Sequence, residues 1–254
     1  MYKNQTTLNN TCFLQELFLE SKGVTRCLGS LSKLAQHLKG PIVLTGGLAI
    51  GWHLMRNGVQ SKKSRLNDID IVVEDLSELH DSLSRYFLIA HFHPCRERGK
   101  ILIQLVDAEF GTRIDVFTPT SDALVARLTD SVIGNVACRF VAIEDLLAKL
   151  LSIIYPATGN KPVEPKYVEH FRLLSTVAVP GTMRKVWLEY RKEEQPLDYE
   201  EAAKIVSSSL RANPALLQAE HYCQDLGHSC SWCRESELFP LAQRSRIYEI
   251  LGYV

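Results

Sequence analysis

Two short segments with carboxylates set into alternating apolar residues constrain the fold of this chain more than any other feature. Segment 68–73 reads DIDIVV and segment 113–117 reads RIDVF. Side chains of a β-strand alternate between its two faces, so Asp68 and Asp70 point the same way while the isoleucines point into a core. The side chain of Asp115 likewise projects from one face of its strand, whereas the neighbouring apolar side chains project from the other face. The sequence therefore predicts two half-buried strands whose exposed faces carry three carboxylates.

Carboxylates that converge repel one another and are tolerated mainly where divalent cations neutralise them. If the two strands are neighbours, Asp68, Asp70 and Asp115 form a site for two Mg²⁺ or Mn²⁺ ions, and we expect them to be catalytic. The alternative is an edge strand with one solvated face.

A glycine pair precedes this pattern, in the segment 42–50, which reads IVLTGGLAI. The apolar residues predict a short buried strand that ends at Gly46 and Gly47, followed by a helix. Glycines allow the backbone to approach a phosphate closely, and a helix N-terminus offers free N–H groups and a positive dipole. We therefore expect Thr45, Gly46 and Gly47 to bind a nucleotide, although a plain strand-to-helix turn would use the same residues.

The remaining periodicity predicts an α/β (α+β) protein, a mixed sheet with flanking helices followed by an all-α C-terminal region. The pattern changes near residue 140, so we place the first region at 1–140 and the helical region at 141–254. Two helices broken near Gly23 are expected at the start. A simple hairpin into 113–117 would put Val106 roughly opposite Asp115, with Gln104 on the same face, whereas a bulge would reverse this assignment. Further strands are expected at 88–93 and 101–106, and helices at 76–86, 143–151, 167–174, 183–190, 199–210 and 238–251.

Basic residues near these motifs are candidate phosphate ligands. Lys62, Lys63 and Arg65 lie in a polar loop just before the aspartate pair, where they would either clamp a triphosphate or remain solvated. Lys149 lies in an otherwise apolar helix and would either contact a phosphate or extend from the core to water. Of these residues, we include Lys63, Arg65 and Lys149 in the predicted nucleotide site.

The order of the motifs resembles the nucleotidyltransferase fold of the DNA polymerase beta superfamily. Its signature is an apolar strand, a Gly-Gly or Gly-Ser pair, a helix, an Asp-x-Asp pair and a later lone aspartate, and the match covers about residues 41–118. Within that superfamily, Gly46-Gly47 followed by the aspartate pair resembles the small bacterial aminoglycoside and lincosamide nucleotidyltransferases and the AbiEii-type enzymes. The AbiEii-type enzymes also carry a helix with a lysine where this chain has Lys149. Ser64 stands where these relatives usually have arginine, and Lys166 lacks the aspartates that follow it in the AbiEii-type pattern.

The resemblance implies an enzyme that moves NMP from an NTP to a hydroxyl of an acceptor and releases pyrophosphate. It implies that Asp68 and Asp70 hold both metal ions and Asp115 one. The chain has 29 basic and 29 acidic residues, and this balance favours a small acceptor over RNA or protein. The alternative is a non-catalytic nucleotide-binding module, regulatory or part of a toxin–antitoxin pair.

Composition narrows the remaining classes. No apolar run is long enough to cross a bilayer and no signal peptide is present, so we expect a cytoplasmic protein that does not enter a membrane. Seven cysteines, an odd number, do not form a disulfide framework. Walker, Rossmann and serine-hydrolase motifs are absent, which excludes those classes of site.

A cysteine cluster near the C-terminus is a second candidate metal site. Cys230 and Cys233 have the spacing with which two thiolates bind one Zn²⁺, and Cys223 with either His228 or His221 would complete four ligands. Such a closed site would be structural. Free cysteines in a loop and a redox pair are the alternatives.

Overall fold

The computed structural model describes residues 19–59, 65–93, 98–218 and 240–253. In these ranges, seven strands form one sheet in the order β3-β4-β5-β2-β1-β7-β6. The β2–β5 and β1–β7 pairs are parallel and the other neighbours are antiparallel, so the sheet is mixed. The strands are β1 (Ile42–Leu44), β2 (Asp68–Val72), β3 (Leu88–Phe92), β4 (Ile101–Asp107), β5 (Thr112–Phe117), β6 (Thr129–Ile133) and β7 (Val136–Phe140).

Helices flank the sheet and make up the regular structure described after Phe140. This arrangement confirms the predicted class, a mixed sheet with flanking helices followed by helical structure. None of the described helices is both long and apolar enough to span a bilayer. The helices are α1 (Ser21–Ala35), α2 (Gly46–Arg56), α3 (Leu83–Tyr86), α4 (Ile143–Ile154), α5 (Pro165–Ser175), α6 (Pro180–Tyr190), α7 (Tyr199–Ala212) and α8 (Arg244–Leu251).

The two faces of the central strands differ in character. On one face, Ile69 and Ile71 of β2 and Ile114 and Val116 of β5 are fully buried in the main hydrophobic core. Helix α2 packs on this face, where Trp52 stacks on Phe140 with ring centroids 4.1 Å apart. Because side chains alternate along a strand, the opposite face of β2 and β5 receives the acidic residues.

The main core is continuous across residue 140. It includes sheet residues such as Ile71 together with Leu147 of α4, Trp187 of α6 and Ala202 of α7. A second, small cluster lies where α8 covers the acidic face of the sheet, with Ile247 packed on Val106. Helix α8 therefore forms a wall on the same face as the carboxylates.

Helix α1 begins at Ser21, close to the break predicted near Gly23, and residues 1–18, where the first predicted helix falls, lie outside the described ranges. Two other local predictions were wrong. The predicted helix over 76–86 is reduced to a short 3₁₀ turn, Leu76–Glu78, and the single turn α3. The β6–β7 hairpin was not predicted, because its polar strand β6 at the edge of the sheet alternates weakly between apolar and polar residues.

Candidate active site

The register of β2 and β5 brings the three predicted aspartates together. Asp70 lies directly opposite Asp115, and Asp68 is two residues earlier on the same face. One carboxylate oxygen from each residue can be chosen so that all three lie within 4.8 Å of one another. Asp115 is buried and the other two are partly exposed. The predicted convergence of the three carboxylates is therefore present in the structure.

The glycine turn lies against this cluster. Gly46 has a φ of +57°, in the left-handed region that favours glycine, and a β-carbon on it would lie 2.7 Å from Cγ of Asp70 and overlap its Oδ2. The backbone N–H of Thr45 donates to the carbonyl of Asp70 over 3.0 Å. By contrast, a β-carbon on Gly47 would meet no atom within 4 Å. The turn therefore fixes the start of α2 beside Asp70 and leaves space at Gly47.

Arg113 is a site residue that our sequence reasoning did not identify. Its Nη2 donates to Oδ2 of Asp115 over 2.6 Å and to Oδ2 of Asp68 over 3.0 Å. The signal was available, because a residue two positions before Asp115 shares its face of the strand. What the sequence could not show is that Asp68 stands directly opposite Arg113 on the neighbouring strand.

Gln104 supports Asp115 from the other side. Its Nε2 donates to Oδ1 of Asp115 over 3.2 Å, and the two residues are paired across β4 and β5. Val106 lies opposite Arg113, so the prediction that it faces Asp115 was wrong. The hairpin is centred one residue earlier than expected, so each residue of β4 pairs with a residue of β5 two positions away from the expected one. A shift of two keeps the same face, so Gln104 and Asp115 share a face as predicted.

The row of polar residues continues to the edge of the sheet. His91 of β3 pairs with Gln104, which places His91, Gln104, Asp115 and Asp70 side by side on four adjacent strands. His91 is buried, and its ring stacks on that of His93 with centroids 5.9 Å apart. The acidic site is thus the inner part of a longer polar strip.

Burial and mutual repulsion destabilise the charged carboxylates. Although Asp70 is partly exposed as a residue, desolvation of its carboxylate group, followed by the charges of Asp68 and Asp115, raises the pKa of Asp70 well above its usual value. Burial also raises the pKa of Asp115, against the opposing effect of Arg113. Oxygen donors held close together under such repulsion suit a hard divalent cation such as Mg²⁺ or Mn²⁺. The residues present therefore fit a metal site of this kind.

Lys166, in the first turn of α5, also acts on Asp70. Its positive charge lowers the pKa of Asp70, against the larger raising effects. Its Nζ pairs with Oε2 of Glu164 at 3.2 Å. Lys166 therefore adds positive charge near Asp70, which the sequence pattern alone did not reveal.

Two of the other predicted nucleotide ligands have described interactions with residues outside the acidic cluster. The Nζ of Lys149 donates to the carbonyl of Gly99, just before β4, over 3.5 Å, and burial lowers the pKa of this lysine. Arg65 is exposed and lies near Arg26 of α1, whose pKa is lowered by burial and then by the charge of Arg65. The described contacts thus place these two residues with Gly99 and Arg26. Lys63, Cys223, His228, Cys230 and Cys233 lie outside the described residues.

Comparisons with known proteins add little. No protein-family model matches the chain, and no curated protein matches it. Among solved structures, it is similar to an antigenic nucleotidyltransferase-like protein from Paracoccidioides brasiliensis, with 16% identity and a TM-score of 0.42 over 79% of this chain and 92% of that one. A likeness of this degree carries no functional argument, so a function has to be inferred from the acidic site itself.

Proposed function

We propose that this protein is a metal-dependent nucleotidyltransferase that moves NMP from an NTP to a hydroxyl of an acceptor and releases pyrophosphate. The observation that carries the proposal is the convergence of Asp68, Asp70 and Asp115 within 4.8 Å, with the Gly46 turn directly against Asp70. A cation site beside an open helix N-terminus is what binding and reaction of a triphosphate require.

The three aspartates would hold Mg²⁺ or Mn²⁺. When bound, such a cation neutralises the charge that develops on the attacking and leaving oxygens of an in-line displacement. The protein contributes rigid positions for its ligands: Asp70 is held by the Thr45 amide through its backbone, and Asp115 by Gln104 and Arg113 through its side chain. Positioning of this kind supplies much of the catalysis in phosphoryl transfer.

The start of α2 would bind the triphosphate. Its first N–H groups have no partner within the helix and point out of the N-terminus beside the carboxylates. Space at Gly47 allows an anion to approach the backbone, and the Thr45 hydroxyl adds a donor. Lys166 would attract the negative substrate towards Asp70. Arg65, Lys63 and Lys149 remain proposals for more distant phosphate contacts.

A small hydroxyl compound is the proposed acceptor. The chain has no net charge, with 29 basic and 29 acidic residues, whereas binding of an RNA backbone relies on clustered positive charge. Total RNA and the protein itself belong in the same screen as alternative acceptors.

One observation favours a second candidate, a non-catalytic nucleotide-binding module. Arg113 pairs with both Asp68 and Asp115 at 3.0 Å and 2.6 Å, and a site that had dispensed with metal would neutralise its carboxylates in this way. The two candidates differ in whether NMP transfer occurs, not in whether nucleotide binds.

The test is a screen of the four labelled NTPs with Mg²⁺ or Mn²⁺ against small hydroxyl compounds, total RNA and the protein alone. We expect a labelled product and pyrophosphate, both lost in Asp70→Asn and both kept in Asp130→Asn, a matched change at an exposed aspartate of β6. Nucleotide binding without transfer would favour the regulatory module. No transfer and no stabilisation by any NTP would contradict the proposal.

A further inference from the structure

Arg113 places a guanidinium group among the three carboxylates of the acidic site. It lies on β5 opposite Asp68 and two residues before Asp115, so strand register and side-chain alternation both direct it into the cluster. Its Nη2 lies 3.0 Å and 2.6 Å from their Oδ2 atoms, and its side chain is only 5% exposed. The positive charge is therefore built into the sheet and does not belong to a mobile surface residue.

The Arg113 guanidinium group keeps its charge, and moving it away from the carboxylates is unfavourable. A guanidinium group stays protonated at any pH at which the protein folds. Separating a buried ion pair leaves an uncompensated charge, which is strongly unfavourable. A guanidinium N–H and a metal ion compete for the same lone pairs of a carboxylate oxygen. Arg113 therefore occupies a lone pair on Oδ2 of Asp68 and on Oδ2 of Asp115 and competes with a metal ion for both oxygens.

The oxygens that remain point to one cation position near Asp70. Oδ1 of Asp115 accepts a hydrogen bond from Gln104, and Gly46 leaves room for the Asp70 carboxylate because it has no β-carbon. When all three carboxylates are ionised, they and the guanidinium carry a net charge of two negative units, because Lys166 is itself paired with Glu164, and a single divalent cation balances this charge.

We propose that Arg113 takes the place of one of the two metal ions expected at this site, so that the nucleotide-free protein binds one divalent cation, beside Asp70. This inference rests on the proposed function, because it concerns the same acidic site. Arg113 acts on the metal through Asp68 and Asp115, so it is a positioning residue and not itself a ligand.

The experiment counts bound Mn²⁺ on the full chain without nucleotide, by the loss of the free Mn²⁺ signal in electron paramagnetic resonance. We expect one Mn²⁺ per chain in the wild type and two in Arg113→Gln, which frees both Oδ2 atoms. Arg113→Lys keeps the charge and should still bind one. The matched control is Arg139→Gln, which removes an arginine on β7 that pairs with the exposed Asp130, and it should also bind one.

Two Mn²⁺ in the wild type, or an unchanged count in a folded Arg113→Gln, would overturn the inference. If Arg113→Gln does not fold, the counts for the wild type and Arg113→Lys decide, since two ions in either contradict it. The readout is independent of turnover. One Mn²⁺ in the wild type without NMP transfer would contradict the proposed function and support the inference about Arg113. Two Mn²⁺ in the wild type with NMP transfer would support the proposed function and contradict the inference.

Discussion

Gly46 lies so close to Asp70 that a β-carbon on the glycine would overlap the carboxylate oxygen Oδ2 of the aspartate. Gly46 follows the end of β1 and Asp70 lies in the middle of β2, and the hydrogen bond from the Thr45 amide to the Asp70 carbonyl holds the two segments together. Two features of the structure therefore require glycine at position 46: the left-handed backbone, with a φ of +57°, and the close contact with Asp70. The turn and the acidic cluster form one unit.

Gly46→Ala should therefore lower NMP transfer by more than its loss of stability explains. The left-handed backbone costs an alanine about 1–2 kcal/mol, and the added methyl group must displace the Asp70 carboxylate. A displacement of about 1 Å can lower turnover by about 100-fold. NMP transfer and thermal unfolding would be measured together. Gly58→Ala is the control, because Gly58 has a φ of +71° but nothing within 4 Å of an added β-carbon. Equal activity in both variants would contradict the role given to the contact.

Asp70→Asn should stabilise the metal-free protein and abolish transfer. The amide removes a charge that burial and two neighbouring carboxylates disfavour, so the free energy of unfolding should rise by on the order of 1 kcal/mol. Transfer should fall by at least about 100-fold, since a ligand is lost. Urea denaturation with a chelator checks stability, with Asp130→Asn as an exposed control. A variant less stable than the wild type would count against repulsion at this site.

The stability of the metal-free protein should fall as pH rises. The pKa of Asp70 is higher in the folded chain than the value of 3.8 for a free side chain. At pH values between 3.8 and the folded pKa, the native state therefore binds more protons than the unfolded state. The associated stability is complete below about pH 3.8 and is lost as pH rises through the folded pKa. The raised pKa of Asp115 acts in the same direction. Denaturation between about pH 5 and about pH 8 measures the slope.

Two controls accompany that measurement. The slope should be smaller in Asp70→Asn, which cannot titrate. Added Mg²⁺ should stabilise the wild type more at high pH than at low pH, because a metal ion binds the deprotonated carboxylate. A slope that neither change affects would assign the pH dependence to other groups.

A hydrogen-bonded ion pair outside the site, in which Asp145 is fully buried, should contribute to the stability of the helical region. Asp145 of α4 is fully buried and accepts hydrogen bonds from Nε and Nη2 of Arg127 at 2.8 Å and 2.7 Å and from the Tyr190 hydroxyl at 2.8 Å. Asp145→Ala leaves Nε of Arg127 and the Tyr190 hydroxyl without this acceptor, while Arg127 keeps its ion pair with Glu189, and should cost about 1–3 kcal/mol. Asp130→Ala breaks the exposed pair with Arg139 and should cost about 0–1 kcal/mol. Similar melting temperatures for both variants would contradict this difference.

The sequence by itself determined which residues share a face and where a backbone must turn sharply. Alternation along a strand is a local property with a period of two, so Asp68 and Asp70 could be assigned to one face and Ile69 and Ile71 to a core without any tertiary information. The glycine pair marked the turn for a similar reason, because few other residues adopt a left-handed backbone. The predicted sheet with flanking helices followed from the same periodicities.

Only the tertiary structure decided what stands beside each of those residues. The pairing of Asp68 with Arg113 joins positions 45 residues apart, and strand order and register depend on hydrogen bonds and packing over the whole sheet. A shift of two residues in the β4–β5 hairpin put Gln104, and not Val106, opposite Asp115. Long-range packing also placed Lys166 of α5 near Asp70, and it placed Lys149 of α4 within hydrogen-bonding distance of the Gly99 carbonyl. Local periodicity selects a face, but long-range pairing selects the neighbours on it, and here those neighbours include the arginine that governs the charge of the site.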